Sequence, residues 1–240
     1  MSSDMPRYNL SIIVLPPLEA FFCFKFNFMN RIIFYFDGFN FYNGLREKSI
    51  KSPEWKNYYW INFVTLAEQF FPDGQIISVK YFSAPPSNSG QRSRQTALFH
   101  ANKLLNPGRF FTFIGNYQSK RIECRKCRSQ FEHLEEKRTD VNISVNMMLD
   151  CFQDNVDTLV LISADSDQVP TVQSIKSNFP QKNLKVYFPP NRSSAELFNL
   201  LKPVVFLEKN EDKFKSSIMP SKVDLGGKIY TKPGEWNYKV

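Results

Sequence analysis

Residues 31–40 read RIIFYFDGFN, a continuous apolar run from Arg31 to Phe36 that ends in the polar step Asp37-Gly38. An apolar run of this length, closed by a turn, is typical of a strand buried on both faces inside a parallel sheet. Further apolar runs follow along the chain, at 75–82, 109–114, 158–162, 184–188 and 204–207. Helix-like segments lie between them, at 59–71, 92–105, 140–152, 168–178 and 193–201. This alternation predicts an α/β fold whose parallel sheet is covered by helices on both faces.

Three segments fall outside this alternation. Residues 1–28 hold two apolar runs on either side of Pro16-Pro17, and neither run reaches the roughly 20 residues of a transmembrane helix. We expect either a natural start at Met29 or a loosely attached N-terminal extension over 1–28. Residues 117–137 predict an irregular basic insertion. Residues 208–240 are polar and rich in Pro, Gly and Lys, which predicts a tail on the surface of a 29–207 domain.

The composition narrows the class of protein. In 240 residues, 42% are hydrophobic and 22% are charged, which excludes a disordered chain and a membrane-embedded one. Lys and Arg number 31 against 23 Asp and Glu, and a net charge of +8 suits a protein that meets a polyanion. Four cysteines do not make a disulfide framework, so a reducing, cytoplasmic location is expected.

Acidic residues stand where predicted strands end. Asp37 directly follows the first strand, and Asp165 and Asp167 follow the strand at 158–162. Asp140 opens a predicted helix, and in a parallel sheet the connecting helices begin at the carboxyl edge of the strands. The four carboxylates are therefore expected at one edge, where ligands of such sheets bind.

Carboxylates that converge without a Lys or Arg among them repel one another, so a bound cation must compensate. Hard oxygen ligands favour Mg²⁺ or Mn²⁺, which can activate a water for attack on phosphorus. The alternative for each Asp taken singly is a helix cap or a turn residue. Asn40 likewise either contributes to the site or occupies a turn.

Three motifs occur in order: FDGFN at 36–40, EKRTDVN at 136–142 and ISADSD at 162–167. Together they resemble the NYN domain, of the PIN-like ribonuclease superfamily, over about residues 31–207. The stretches FPPNRS at 188–193 and PGEW at 233–236 also resemble its LabA-like bacterial group.

The resemblance implies a PIN-like three-layer α/β/α sandwich and an Mg²⁺-dependent ribonuclease whose products carry 5′-phosphate and 3′-hydroxyl ends. It assigns the acidic metal ligands to Asp37, Asp140, Asp165 and Asp167, and a polar site residue to Asn40.

The insertion carries one C-x-x-C, Cys124-Arg125-Lys126-Cys127. A reduced pair in a basic hairpin is the favoured interpretation. A zinc knuckle is the other, and it would need further ligands from His133 or from a second chain, because structural zinc takes four. A homodimer is left open on that ground.

Basic residues cluster in the same insertion, interleaved with Tyr117 and Phe131. Such side chains neutralise phosphates and stack on unpaired bases, which predicts binding of single-stranded RNA. The alternative is a solvated loop, because Glu123, Glu132, Glu135 and Glu136 partly offset the positive charge. Arg192 precedes a predicted helix N-terminus and is a further candidate phosphate ligand. The candidate RNA-binding residues are Lys120, Arg121, Arg125, Lys126, Arg128 and Arg192.

The leading hypothesis is thus a metal-dependent endoribonuclease, and the main alternative is a non-catalytic RNA-binding or regulatory module on the same fold. A HAD-type phosphatase is disfavoured because Phe39 stands where that family needs a second Asp. No glycine-rich phosphate loop follows the strands, which also disfavours a P-loop or dinucleotide enzyme. No membrane partner is expected.

Overall fold

A computed structural model describes residues 30–238, except for the side chains of Gln118, Phe131, His133, Leu134, Glu135 and Glu136. The predicted extension over 1–28, and Met29, lie outside the described residues.

Strand β1 (Arg31–Asp37) forms the middle of the sheet, and its side chains alternate between two cores. Ile32, Phe34 and Phe36 pack into one core, whereas Ile33 and Tyr35 pack into the other. A strand with helices on both faces needs apolar residues at every position, which explains the unbroken run in the sequence.

Six strands form this central sheet, in the order β3-β2-β1-β6-β7-β8, and every pairing in it is parallel. The chain builds β2 and β3 on one side of β1 and then returns to place β6, β7 and β8 on the other. The sheet therefore reverses its winding between β1 and β6. The other strands are β2 (Gln75–Ser83), β3 (Phe110–Ile114), β6 (Thr158–Ile162), β7 (Asn183–Phe188) and β8 (Val205–Phe206).

Helices cover both faces and complete a three-layer α/β/α sandwich, as predicted. One layer holds α1 (Gly38–Lys51), α2 (Phe63–Phe70) and α3 (Ser89–Leu105). The opposite layer holds α4 (Thr139–Phe152), α5 (Val169–Asn178) and α6 (Ala195–Leu200).

Helix α1 was not predicted, because none of the helix-like segments identified in the sequence lies before residue 59. Its residues include two glycines and two asparagines, which are poor helix formers. Packing overrides that preference, since Phe41 and Leu45 are buried in the core. A methyl group on Gly44 would lie 2.4 Å from the carbonyl oxygen of Pro190, so only glycine permits this contact with the loop after β7.

The predicted helix over 59–71 is wrong at its start. A 3₁₀ turn occupies Pro53–Tyr59, and α2 begins only after Asn62. The Asn62 side chain caps α2 by accepting hydrogen bonds from the backbone amides of Val64 and Thr65, at 3.0 and 3.1 Å. Because a side-chain cap of this kind satisfies free amides of the first turn, it makes α2 begin directly after Asn62.

Residues 117–137 are ordered as an antiparallel hairpin rather than as an irregular insertion. Strands β4 (Asn116–Glu123) and β5 (Gln130–Lys137) pair along their whole length. The hairpin leaves the carboxyl end of β3, turns at the cysteine motif and returns to the first turn of α4. Its base therefore lies at the carboxyl edge of the central sheet.

The segment after Leu207 is part of the core, not a tail on the surface. It contains α7 (Glu211–Lys215) and the hairpin β9 (Lys222–Leu225) with β10 (Lys228–Thr231). Phe214 is fully buried and Trp236 is 5% exposed, both in the core of the α1–α3 layer. The mostly polar composition of this segment gave no sign that it packs into the core, because two large aromatic side chains are enough to anchor it there.

A buried ion pair fastens α4 to the sheet. The Lys80 ammonium lies 2.6 Å from the Asp150 carboxylate, which also accepts a hydrogen bond of 2.6 Å from the Tyr35 hydroxyl. Burial raises the pKa of Tyr35 well above its usual value, so the hydroxyl keeps its proton and donates. Asp150 is therefore both buried and paired.

No helix within residues 30–238 is both long enough and apolar enough to cross a membrane.

Candidate metal centre

Asp37 lies at the point where β1 ends and α1 begins. It caps α1, and its carboxylate oxygen Oδ1 accepts a hydrogen bond of 3.0 Å from the backbone amide of Asn40. The other oxygen, Oδ2, accepts hydrogen bonds from Asn40 Nδ2 at 2.6 Å and from the Ser163 hydroxyl at 2.7 Å. A carboxylate has about four acceptor sites, so three protein donors leave capacity for a cation.

The environment of Asp37 disfavours its negative charge. The side chain is only 2% exposed, and burial raises its pKa, although the three hydrogen bonds act in the opposite direction. A buried carboxylate with no basic partner is stabilised best by a metal ion.

Asp165 lies beside Asp37 because β6 is the direct neighbour of β1. Its backbone amide donates to the Ser163 hydroxyl at 3.0 Å, and that hydroxyl in turn donates to Asp37. Ser163 thus links the ends of the two strands. Asp165 also caps the 3₁₀ turn at 166–168, where its Oδ1 accepts a hydrogen bond from the Asp167 amide at 3.0 Å.

Asp140 reaches the same edge from the first turn of α4. Its Oδ1 accepts a hydrogen bond of 3.3 Å from the side-chain amide of Gln168. Burial and the neighbouring charges of Asp37 and Asp165 raise the pKa of Asp140 to about 6. The positive end of the α4 dipole offsets only part of this repulsion.

Asp37, Asp140 and Asp165 each present an oxygen within 4.8 Å of the other two. Oxygens that share one Mg²⁺ with bonds of about 2.1 Å lie up to about 4.2 Å apart, so small side-chain rotations would complete the contacts. Among the described side chains, no lysine or arginine forms an ion pair with any of the three. The donor set fits a hard divalent cation such as Mg²⁺ or Mn²⁺.

The other two predicted acidic-site residues occupy different positions. Asp167 is exposed and is not among the three converging carboxylates, but its charge contributes to the raised pKa of Asp140. Asn40 uses its side-chain amide to hold Asp37, and it lies in the first turn of α1 rather than in a loop. Asn40 therefore acts on Asp37 through direct hydrogen bonds, whereas Asp167 acts on Asp140 through its charge alone.

Sequence reasoning missed Ser163 and Gln168. Ser163 is fully buried directly after β6, and its position between two strand ends was a signal available in the ISADSD motif. Gln168 is also fully buried, and its Oε1 has no hydrogen-bond partner among the described atoms. Nothing in the sequence around Gln168 distinguishes it from an ordinary polar residue at a helix start.

The predicted RNA-binding residues divide into two groups. Those of the insertion are all exposed on the β4–β5 hairpin: Lys120, Arg121, Arg125, Lys126 and Arg128. Arg192 instead forms an ion pair with Glu47 of α1. This ion pair uses one nitrogen of the guanidinium, and its Nε has no hydrogen-bond partner among the described atoms, so the role of Arg192 as a phosphate ligand stays a prediction.

Cys124 and Cys127 are free thiols at the tip of the hairpin. Hydrogen bonding with Ser129 lowers the pKa of the exposed Cys127 thiol to about 7. Among the described side chains, no third ligand joins the two cysteines, and the side chain of His133 lies outside them. The zinc knuckle stays a prediction.

Comparison with known proteins gives three findings. The family model described as the NYN domain matches residues 31–208. A curated relative from Pseudomonas putida, 6-hydroxy-3-succinoylpyridine 3-monooxygenase HspA, is 27% identical over 178 residues. That match covers 60% of this chain and 55% of the relative, so the chain spans about half the length of that protein.

A crystal structure of a protein of unknown function from Vibrio parahaemolyticus has a similar fold. Its TM-score is 0.50 at 19% identity, and the match covers 75% of this chain and 93% of that one. This likeness concerns the fold alone.

Proposed function

This chain belongs to the NYN domain family, and from that premise we propose that it is a divalent-metal-dependent endoribonuclease acting on single-stranded RNA. The observation that carries the proposal is the convergence of Asp37, Asp140 and Asp165 from three separate elements without a basic partner among the described side chains. Such an arrangement costs stability unless a cation is bound, and it sits where the sheet reverses its winding.

The three carboxylates would hold the ion, and the surrounding residues keep them in place. Ser163 and Asn40 orient Asp37, and Gln168 orients Asp140. When bound, Mg²⁺ or Mn²⁺ supplies a water of lowered pKa and neutralises charge on the phosphate under attack. Hydrogen bonds that fix the ligands in advance remove the need to reorganise them during the reaction.

The β4–β5 hairpin favours a nucleic acid as the substrate, and membership of the NYN domain family makes RNA the expected one. It carries five exposed Lys and Arg side chains and starts at the sheet edge that holds the carboxylates. Basic side chains there would hold the phosphate backbone across the site, which contributes affinity for any sequence.

The relative from Pseudomonas putida is named as a 3-monooxygenase of 6-hydroxy-3-succinoylpyridine. Three carboxylates favour hard divalent cations that activate water, so we favour hydrolysis for this chain.

A cleavage assay tests the proposal. Single-stranded RNA labelled at its 5′ end should be cut in Mg²⁺ or Mn²⁺ and remain intact in EDTA, whereas DNA of the same sequence serves as the substrate control. The products should carry 5′-phosphate and 3′-hydroxyl ends.

The variants Asp37→Asn and Asp165→Asn should abolish cleavage while their circular dichroism spectra stay unchanged. Unchanged activity in either variant would refute the assignment. RNA that is bound but never cut in either metal would favour the non-catalytic binding module instead.

A further inference from the structure

An aromatic cavity opens beside the acidic cluster, between α1, α3 and the C-terminal segment. Its volume is about 220 Å³, and the residues that line it include Gly38, which directly follows Asp37 in the sequence. This volume is below the roughly 300–1,000 Å³ typical of pockets for drug-sized ligands and suits a single planar ring.

The cavity lining is rich in aromatic side chains, and three of them, Tyr42, Tyr59 and Trp236, come together from different parts of the chain. The ring of Tyr59 lies 5.7 Å from that of Tyr42 and 5.7 Å from that of Trp236, measured between centroids. Tyr42 is half-buried, so part of its ring faces the cavity and solvent. Ring faces of this kind bind flat π-systems by stacking.

The cavity also has cationic side chains at its mouth. Arg46 is exposed and has no ion-pair partner among the described carboxylates, whereas Arg94 is paired with Glu235 at 2.8 Å. A second recess of about 460 Å³ shares these arginines and extends to Lys56. Positive charge thus continues from the cavity along the surface, as an anionic chain would require.

We propose that this aromatic cavity binds one unpaired base of an RNA strand whose backbone crosses the acidic cluster. The inference rests on the proposed function and adds a binding site for one base to it, since a base inside a duplex cannot leave its stack without cost. Tyr42 would stack on the base, and Arg46 would hold the adjacent phosphate.

The first test is a binding measurement in EDTA, where no cleavage is expected. An eight-residue oligouridine is titrated into the full chain, and affinity is followed by fluorescence anisotropy of a 5′ label. Tyr42→Ala should weaken binding by roughly tenfold to a hundredfold, as when one stacked base loses its aromatic partner. Tyr42→Phe keeps the ring and should bind as the unmodified chain does.

Arg46→Gln should weaken binding and lower the slope of log affinity against log salt by about 0.7, the value for one phosphate contact on a single strand. Two variants serve as matched controls. Phe152→Ala removes an exposed aromatic ring from the far end of α4, and Lys103→Gln removes an exposed positive charge from the last turn of α3. Both should leave affinity within twofold.

The inference is overturned if Tyr42→Ala binds as tightly as the unmodified chain, if Phe152→Ala loses as much affinity, or if an RNA duplex binds as well as oligouridine. Its failure is distinguishable from that of the proposed function. If Tyr42→Ala binds RNA with full affinity and RNA is still cleaved, the cavity proposal fails and the nuclease proposal stands. If binding depends on the ring of Tyr42 but RNA is not cleaved, the nuclease proposal fails and the cavity proposal stands.

Discussion

At the scale of single residues, Asp140 shows a conflict between stability and function. Burial disfavours its negative charge and the charges of Asp37 and Asp165 oppose it further, so the pKa of Asp140 is raised to about 6. We predict that Asp140→Asn abolishes cleavage and stabilises the metal-free protein at pH 7.5 by about 1–2 kcal/mol, after allowance for solvent screening. Urea unfolding in EDTA measures this. If Asp140→Asn is less stable than the unmodified chain in EDTA, the Asp140 carboxylate makes a favourable interaction in the metal-free protein, which would contradict this prediction.

Because the pKa of Asp140 is raised, the stability of the metal-free protein depends on pH. The folded-state pKa of Asp140 is raised above its unfolded value, so the resulting stability is fully present below about pH 4 and is lost as pH rises through about 6. A metal ion displaces the proton. We therefore predict that a fixed Mn²⁺ concentration raises the melting temperature more at pH 7.5 than at pH 5.0. Equal increments at both values would contradict the role of Asp140 as a ligand.

Ser163 provides a test of positioning. Its hydroxyl donates to the Asp37 carboxylate and accepts from the Asp165 backbone amide, so Ser163→Ala removes the link between the Asp37 side chain and the backbone that carries Asp165. We predict that affinity for Mn²⁺ falls by roughly tenfold to a hundredfold. Ser217→Ala is the control, because that buried hydroxyl donates to the carbonyl of Lys213 in α7, away from the three carboxylates. An Mn²⁺ affinity unchanged in Ser163→Ala would show that the link is dispensable.

At the scale of elements, α1 depends on its close approach to β2. A methyl group on Gly38 would lie 2.4 Å from Tyr81 Cε1 and 2.5 Å from the carbonyl oxygen of Phe82. We predict that Gly38→Ala lowers the free energy of unfolding by about 1–3 kcal/mol. Gly234→Ala meets open space and should change it by less than about 0.5 kcal/mol. Chemical denaturation compares the two, and equal losses would contradict this packing.

Sequence reasoning succeeded where position along an element decides the outcome. Asp37 and Asp165 directly follow two strands that prove to be neighbours, and Asp140 opens the helix that leads into one of them. It failed for α1, whose glycines and asparagines carry no helical signal. The aromatic cavity was equally out of reach, since Tyr42, Tyr59 and Trp236 meet only through tertiary packing.

At the scale of the whole molecule, the fold does not end at Leu207. Phe214 and Trp236 fill the core of the α1–α3 layer, and Trp60 Nε1 donates to the carbonyl of Pro220 at 2.8 Å. We predict that a chain ending at Leu207 loses cooperative thermal unfolding, because large aromatic rings leave the core. A chain ending at Tyr238 should melt as the full chain does. Cooperative melting of the shorter chain would contradict this account and support the surface tail that the composition predicted.

The most direct test of the central claim is an Mn²⁺ titration of the full chain by isothermal calorimetry at pH 7.5. The converging oxygens of Asp37, Asp140 and Asp165 predict specific Mn²⁺ binding that is lost in the folded Asp165→Asn variant. Equal Mn²⁺ binding by the full chain and by Asp165→Asn would contradict the account.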